Sequence, residues 1–214
     1  MIKHIVFDWD GTLADTYSVL SAAYTHAFVN LGIEPISYDE VKRITSTVQN
    51  KDSLQCIFGD RKNDARKLFY DYIEKHHITN LKAMQNAKKL LEFCKDNNIK
   101  CYIVTNKTRK YFVEECDKLG FSKYFANIVA AGDFSEDKPH PLATKAVFGY
   151  NVPDPESILM IGDGIADYKT ARTYDEENKK ARCIILDPQN KYSGDEPDYK
   201  INNLIEIIDI LKEM

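Results

Sequence analysis

Residues 2–12 read IKHIVFDWDGT, in which an apolar run leads directly into two aspartates and a glycine. We predict a strand over residues 2–7, with Asp8 and Asp10 at its carboxyl end, where open α/β sheets bind ligands. Period two along an extended chain would point both carboxylates the same way, and Gly11 would let the chain turn away. Because neighbouring carboxylates repel each other, a hard divalent cation is their natural partner. The alternative is an ordinary turn, since Asp and Gly are turn formers.

The rest of the chain alternates short apolar runs with amphipathic helical segments, which predicts an α/β fold with a parallel sheet. A helix is indicated over residues 87–94 by apolar side chains at positions i, i+3, i+4 and i+7. Further strands are predicted at residues 101–104, 128–131, 158–161 and 183–186.

This alternation breaks down between the first strand and the helix at residues 87–94. Residues 16–80 contain helical patterns, for example at residues 19–31 and 65–73, but no convincing strand. The stretch is too apolar to be disordered. We therefore predict an inserted helical subdomain at residues 16–80, with residues 1–15 and 81–214 forming the α/β core.

Thr105-Asn106 follows the strand predicted at residues 101–104. A hydroxyl and amide donors at a strand end can hold phosphate oxygens. The same pair is equally typical of a helix cap, so the signal is weak when it is judged alone.

Lys138 lies in the sequence EDKPHP at residues 136–141. Two prolines fix the backbone near this lysine, and a fixed ammonium is a useful counter-charge for a phosphoryl group. The alternative is an ordinary surface lysine.

Residues 162–167 read GDGIAD and follow the strand predicted at residues 158–161. They place Asp163 at a strand end and Asp167 one helical turn further on. The alternative is a helix N-cap followed by an acid in the first turn, both of which stabilise a helix.

Each cluster has an ordinary explanation, yet all four lie at or just beyond the carboxyl end of a predicted strand. A parallel sheet brings these ends to one edge. That edge would collect four carboxylates, a hydroxyl, amide donors and one ammonium. These are the groups that phosphoryl transfer requires, because positioning and charge neutralisation do most of its catalysis.

Together the clusters resemble the haloacid dehalogenase-like hydrolase superfamily, and most closely its phosphoglycolate phosphatase-like branch. The family pattern is D-x-D-G-T-L-x-D-[ST], a Thr or Ser after a strand, a Lys-Pro and G-D-x-x-x-D. Residues 8–16 read DWDGTLADT, and Thr105, Lys138-Pro139 and residues 162–167 follow in the family's order. The resemblance implies a Rossmann-like, doubly wound parallel sheet with a small inserted helical cap domain at residues 16–80.

The resemblance also implies a phosphatase that acts on a small-molecule phosphate monoester. Asp8 would attack phosphorus and carry an aspartyl phosphate. Asp10 would protonate the leaving oxygen and then activate water against the intermediate.

The cofactor implied by the resemblance is Mg²⁺. It would be held by Asp8, the backbone carbonyl of Asp10 and Asp163, with Asp167 close by. The phosphoryl oxygens would be held by Thr105, the Asn106 amide and Lys138.

A sugar-phosphate mutase of the same superfamily is the first alternative. Mutase-like relatives tend to have Val or Ala at the position of Thr12, and an Arg where this chain has Asn50. These departures favour hydrolysis. A mutase would need Lys51 or Arg43 to grip a second phosphate. As a phosphatase, the chain is predicted to bind substrate through Asn50 and Lys51 of the cap.

A catalytically silent phospholigand-binding protein is the alternative from another class. The intact set of Asp8, Asp10, Lys138 and Asp163 argues against it, because binding alone has no chemical need of all four.

Composition limits the partners. The 214 residues are 43% hydrophobic and 29% charged, with a net charge of −4 and no block of like charge, which favours neither nucleic acid nor a membrane surface. Five scattered cysteines form neither a disulfide framework nor a zinc site. The first residues lack the apolar segment of a signal peptide. We expect a cytoplasmic protein whose partner is a small phosphorylated molecule.

Overall fold

The computed structural model describes residues 1–46 and 53–214. The chain divides into two compact units, one formed by Met1–Asp15 with Lys82–Met214 and the other by Thr16–Leu81. Within the described ranges, no helix combines the length and the apolar character needed to cross a membrane.

The larger unit contains the strands. In chain order they are β1 (His4–Phe7), β2 (Ala14–Asp15), β3 (Lys82–Ala83), β4 (Lys100–Thr108), β5 (Phe125–Ala131), β6 (Ile158–Gly162), β7 (Arg182–Leu186) and β8 (Tyr199–Ile201). Six of them form a parallel sheet in the order β5-β4-β1-β6-β7-β8. Numbered along the chain, these six strands read 3-2-1-4-5-6, the order of the Rossmann fold. The predicted α/β fold with a doubly wound parallel sheet is confirmed.

The middle of the sheet is buried on both faces. Every residue of β6 is buried, as are the last three residues of β1. This explains why these strands are continuous apolar runs and not alternating ones. Phe7 of β1 is paired with Ile103 of β4 on one side and with Ile161 of β6 on the other. The carboxyl ends of three neighbouring strands therefore come together where the strand order reverses, which is where such sheets bind ligands.

The helices of the larger unit surround this sheet. They are α5 (Ala87–Asp96), α6 (Arg109–Leu119), α7 (Pro141–Ala146), α8 (Ile165–Arg172) and α9 (Glu206–Glu213). Helix α6 packs on β4 and β5, and α8 packs on β6 and β7. Single 3₁₀ turns at Ser122–Tyr124 and Pro155–Ser157 precede β5 and β6.

The smaller unit is helical. It contains α1 (Tyr17–Asn30), α2 (Tyr38–Ser46), α3 (Ser53–Phe58) and α4 (Lys62–His76), with a 3₁₀ turn at Gly59–Arg61. Helix α1 packs along α4. The apolar core of this unit includes Phe28, Val41, Leu54 and Phe58.

The chain leaves and re-enters the larger unit at one place. Strands β2 and β3 form an antiparallel pair in which Ala14 lies opposite Ala83 and Asp15 opposite Lys82. Because the two crossing points are side by side, residues 16–81 are inserted without separating the strands of the sheet.

Several strands differ from the sequence expectation, including β2 and β3, which have two residues each and were not predicted. Strand β4 continues to Thr108 instead of ending at Val104, with a register shift against β5 between those two residues. Thr105-Asn106 is therefore inside an irregular strand end and not after the strand. Strand β8 was not predicted, since it has three residues and only Ile201 is buried.

Candidate active site

Three aspartates form a carboxylate cluster at the carboxyl edge of the sheet. Asp8 follows β1, whereas Asp163 and Asp167 follow β6, and one oxygen from each lies within 4.8 Å of the others. Gly11 lies against this cluster with φ of +77°, and a Cβ built there would come 2.6 Å from Oδ2 of Asp163. A glycine is required at this position because both the backbone conformation and the close approach exclude a side chain.

Lys138 inserts a single ammonium into this carboxylate cluster. Its buried Nζ donates to Oδ1 of Asp8, to Oδ1 of Asp167 at 2.7 Å and to the backbone oxygen of Val104 at 3.2 Å. Burial lowers the pKa of Lys138, but the carboxylates of Asp167 and Asp8 outweigh this effect and hold the pKa above its ordinary value. The lysine is thus a permanently charged group fixed beside Asp8.

The carboxylate cluster brings three carboxyl groups to one lysine. Burial raises the pKa of the Asp8 carboxyl, and the charges of Asp167 and Asp163 raise it further against the opposing effect of Lys138. Carboxylate oxygens are the ligands that Mg²⁺ prefers, so Asp8 and Asp163 fit this ion.

Asp167 is already fully engaged by protein donors. Oδ1 accepts from Lys138, and Oδ2 accepts from the backbone N–H groups of Asp163 at 3.1 Å and Gly164 at 3.0 Å. A Cβ built on Gly162 would overlap this carboxylate, so a glycine is needed there. Asp167 therefore orients both Lys138 and the turn that presents Asp163.

Thr105 and Asn106 come from the irregular end of β4. The buried Oγ1 of Thr105 accepts from the backbone N–H of Lys107 at 3.1 Å, which leaves the hydroxyl proton for donation to a ligand. Nδ2 of Asn106 donates to the backbone oxygen of Lys138 at 2.9 Å. The Asn106 amide thus connects β4 to the segment that carries Lys138.

Asp10 belongs to a second, separate cluster. Its carboxylate is absent from the carboxylate cluster found among the described residues, and its Oδ1 accepts from Nζ of Lys107 at 2.8 Å. Asp8 and Asp10 therefore contact different lysines, whereas strand periodicity had predicted that they would point the same way.

Sequence reasoning missed the residues around Asp10. Nζ of Lys107 also lies 2.9 Å from Oε1 of Glu115, and Oε2 of Glu115 accepts from Nε1 of Trp9 at 2.7 Å. Burial lowers the pKa of Lys107, but Asp10 and Glu115 outweigh this and hold the pKa above its ordinary value. The signal that could have identified Lys107 is its position two residues after Thr105, on the same side of the strand.

The predicted cap residues Asn50 and Lys51 lie outside the described residues. The remaining predicted residues all belong to the larger unit, near the carboxyl ends of β1, β4 and β6 or on the segment after β5. Fixed ammonium groups, a hydroxyl donor and a carboxylate pair suited to a hard cation provide the electrostatic environment in which a phosphoryl group reacts.

Comparison with known proteins identifies relatives over nearly the whole chain. A family model described as haloacid dehalogenase-like hydrolase matches residues 5–175. The chain is 26% identical to the pyrophosphatase PpaX of Oceanobacillus iheyensis over 210 residues, covering 98% of this chain and 97% of that protein. It is also 26% identical to the phosphoglycolate phosphatase of Vibrio parahaemolyticus over 228 residues, covering 98% and 96% of the two chains.

A solved structure shares the fold. The crystal structure of a predicted phosphoglycolate phosphatase from Haemophilus somnus superposes with a TM-score of 0.81 over 98% of each chain, at 21% sequence identity.

Proposed function

The chain belongs to the haloacid dehalogenase-like hydrolases, in the phosphoglycolate phosphatase-like branch, and we propose that it is a magnesium-dependent phosphatase of small phosphate monoesters. The observation that carries this proposal is the contact of Lys138 with both Asp8 and Asp167, whose carboxylate oxygens lie within 4.8 Å of one of Asp163. A buried nucleophile beside a fixed cation is suited to attack on a phosphoryl group, whose negative charge must be neutralised as it is transferred.

Asp8 is the proposed nucleophile. A bond forms between its carboxylate oxygen and phosphorus as the bond from phosphorus to the leaving oxygen breaks, and Asp10 gives its proton to that oxygen. In the second step Asp10 takes a proton from water, whose oxygen attacks phosphorus and releases the Asp8 carboxylate. The Lys138 ammonium and the Thr105 hydroxyl hold the phosphoryl oxygens through both steps.

Asp8, Asp163 and the backbone oxygen of Asp10 are the proposed ligands of Mg²⁺. The ion would neutralise charge on the phosphoryl oxygens and on Asp8. Asp167 would orient the site through Lys138 and the two backbone N–H groups that it accepts from. Asn106 would support Lys138 through its bond to the lysine's backbone oxygen.

The inserted helical unit is the proposed source of substrate selection, as a cap. The larger unit supplies groups that bind phosphate and metal. Since every phosphate monoester has the same phosphoryl group, these groups cannot distinguish one substrate from another. Asn50 and Lys51 are the proposed selecting residues, because an ammonium and an amide would favour an anionic substrate. Residues 47–51, four of which are polar, contain both.

The test is phosphate release by the purified protein from p-nitrophenyl phosphate, phosphoglycolate and a panel of sugar phosphates. Each reaction is run with Mg²⁺, with chelator and with chelator followed by excess Mg²⁺. We expect release that chelation abolishes and Mg²⁺ restores. Inorganic pyrophosphate is included because one relative is a pyrophosphatase.

The Asp8→Asn variant is the matched control, since it removes the nucleophile and preserves side-chain volume. It should fold and release no phosphate. Isomerisation of a sugar phosphate without phosphate release would favour the mutase alternative. Ligand binding without any turnover would favour the alternative of a catalytically silent phospholigand-binding protein.

A further inference from the structure

Lys107 is a buried lysine outside the proposed phosphate-binding residues, and it contacts Asp10, the residue proposed to act first as the acid and then as the base. The side chain of Lys107 is 6% exposed and that of Glu115 is fully buried, while the Asp10 carboxylate that Lys107 contacts is 26% exposed. Lys107 thus connects an interior carboxylate to one that faces outward.

This connection is fixed at its inner end. Glu115 lies on α6 and accepts a hydrogen bond from the indole of Trp9, the residue between Asp8 and Asp10. Trp9 is fully buried and packs edge-on against Phe112, with ring centroids 4.9 Å apart. The segment with both aspartates is therefore held from inside by α6, through Trp9 and through Lys107.

Stability alone does not account for such an arrangement. Burying a lysine and a glutamate costs several kcal/mol of desolvation per ion, and apolar residues of similar volume often give an equal or more stable fold. What the charged pair provides, and an apolar pair could not, is a hydrogen-bond donor at a fixed place against Oδ1 of Asp10.

We propose that Lys107, held by Glu115 and Trp9, is a positioning residue that fixes the carboxyl group of Asp10 for proton transfer to the leaving oxygen. This inference rests on the phosphatase function proposed above. Because the ammonium donates to Oδ1, the proton of the acid form must be carried by Oδ2. Lys107 therefore determines which oxygen of Asp10 serves as the donor.

The inference makes a prediction about leaving groups. An alkoxide leaving group must be protonated as it departs, whereas p-nitrophenolate departs readily without a proton. Losing the position of Asp10 should therefore slow the cleavage of alkyl phosphates much more than that of p-nitrophenyl phosphate.

The experiment uses the double variant Lys107→Met/Glu115→Gln, which releases Asp10 from its lysine without leaving the interior carboxylate of Glu115 unpaired. The Gln oxygen can still accept from Trp9. Lys118→Met, an exposed lysine on the same helix, is the matched control. The quantity measured is kcat/KM for p-nitrophenyl phosphate and for the best alkyl phosphate of the panel, because kcat/KM reports the step in which the leaving group departs.

For the double variant we expect kcat/KM to fall about 100-fold on the alkyl phosphate, within the range of general-acid contributions, and less than about 10-fold on p-nitrophenyl phosphate. Lys118→Met should match the wild type on both. Circular dichroism and thermal melting report whether the variant is folded. If it is not, Glu115→Gln alone, which keeps Lys107 but loses one of its anchors, should show the same substrate dependence to a smaller degree.

Equal losses on both esters in a folded variant, or no loss on either, would overturn the positioning role and leave the phosphatase function intact. A wild-type protein that releases phosphate from neither ester would instead refute the proposed function, and with it this inference.

Discussion

Lys138 and Lys107 are both buried lysines that lie between two carboxylates, yet their surroundings differ. Lys138 contacts Asp8 and Asp167, and an oxygen of Asp163 lies within 4.8 Å of oxygens of these two carboxylates. Lys107 contacts Asp10 and Glu115, and Glu115 also accepts a hydrogen bond from the Trp9 indole. The first cluster brings three carboxyl groups together beside one ammonium, whereas the second brings two. The same pairing of charges can thus prepare a metal site or orient a single acid.

The two lysines are also supported by different kinds of structure. Lys107 lies in β4, in the irregular stretch between Val104 and Thr108, and its backbone N–H donates to Oγ1 of Thr105. Lys138 lies between β5 and α7, and its backbone is held by Asn106. In the same segment, the Asp133 carboxylate accepts from Nε of Arg109 at 2.7 Å and from the backbone N–H of Ala130 at 2.8 Å. Side-chain hydrogen bonds therefore hold the backbones of both lysines, one within a strand and the other between two elements.

The largest effect is expected from Lys138→Met. Removing the ammonium leaves the transferred charge without its fixed counter-ion, and activity should fall about 10³-fold, as it does when a preorganised electrostatic donor is lost. The loss should be similar for alkyl phosphates and p-nitrophenyl phosphate, unlike that of the Lys107 variants. The measurement is kcat/KM of Lys138→Met on both esters, with Lys118→Met as the control variant. A loss confined to alkyl phosphates would show that the two lysines do the same task.

A smaller effect is expected from Asp163→Asn. This variant tests whether the metal ion binds at the carboxylate cluster of Asp8, Asp163 and Asp167. The Mg²⁺ concentration for half-maximal activity should rise by at least about 10-fold, because the ion loses a charged ligand. Asp209→Asn on the exposed side of α9 is the matched control and should leave the Mg²⁺ requirement unchanged. An unchanged requirement in Asp163→Asn would remove Asp163 from the metal site.

The smallest effect on activity is expected from Trp9→Phe, which removes the indole N–H and keeps an aromatic ring. The buried Oε2 of Glu115 would lose this donor and the smaller ring would leave unfilled volume, so the free energy of unfolding should fall by at least about 1–3 kcal/mol. Urea unfolding followed by circular dichroism measures this. Tyr124→Phe, which removes an exposed hydroxyl 3.5 Å from Glu92, should change stability by less than about 0.5 kcal/mol. Equal values for the two variants would mean that the indole bond contributes nothing.

Much of the larger unit could be predicted because its central strands have a clear sequence pattern. Strands buried on both faces must be continuous apolar runs, and β1 and β6 each end directly before acids and glycines. The far edge of the sheet lacks this signal, since β8 buries only Ile201 and reads like a loop. The continuation of β4 to Thr108 was missed for a related reason, because Asn106 and Lys107 are polar and interrupt the apolar run.

The carboxylate cluster and Lys138 were predictable because each of these residues lies in a short sequence motif that follows a strand. The second cluster, formed by Lys107, Asp10, Glu115 and Trp9, has no such motif as a set. Its members come from the segment after β1, the end of β4 and the middle of α6, and sequence pattern does not reveal that Glu115 faces Trp9. The sequence pattern of α6 is that of an ordinary amphipathic helix, so it gives no sign that Glu115 belongs to a buried charge pair.

The most direct test of the central claim is to identify the phosphorylated residue during turnover. The protein is mixed with Mg²⁺ and p-nitrophenyl phosphate, quenched in acid and treated with borohydride, which reduces an acyl phosphate to an alcohol and so converts the modified aspartate to homoserine. Asp10, two residues away, is the internal control in the same peptide. The account predicts homoserine at position 8, aspartate at position 10 and no conversion in Asp8→Asn. Homoserine at position 10, or at neither position in a sample that is releasing phosphate, would contradict it.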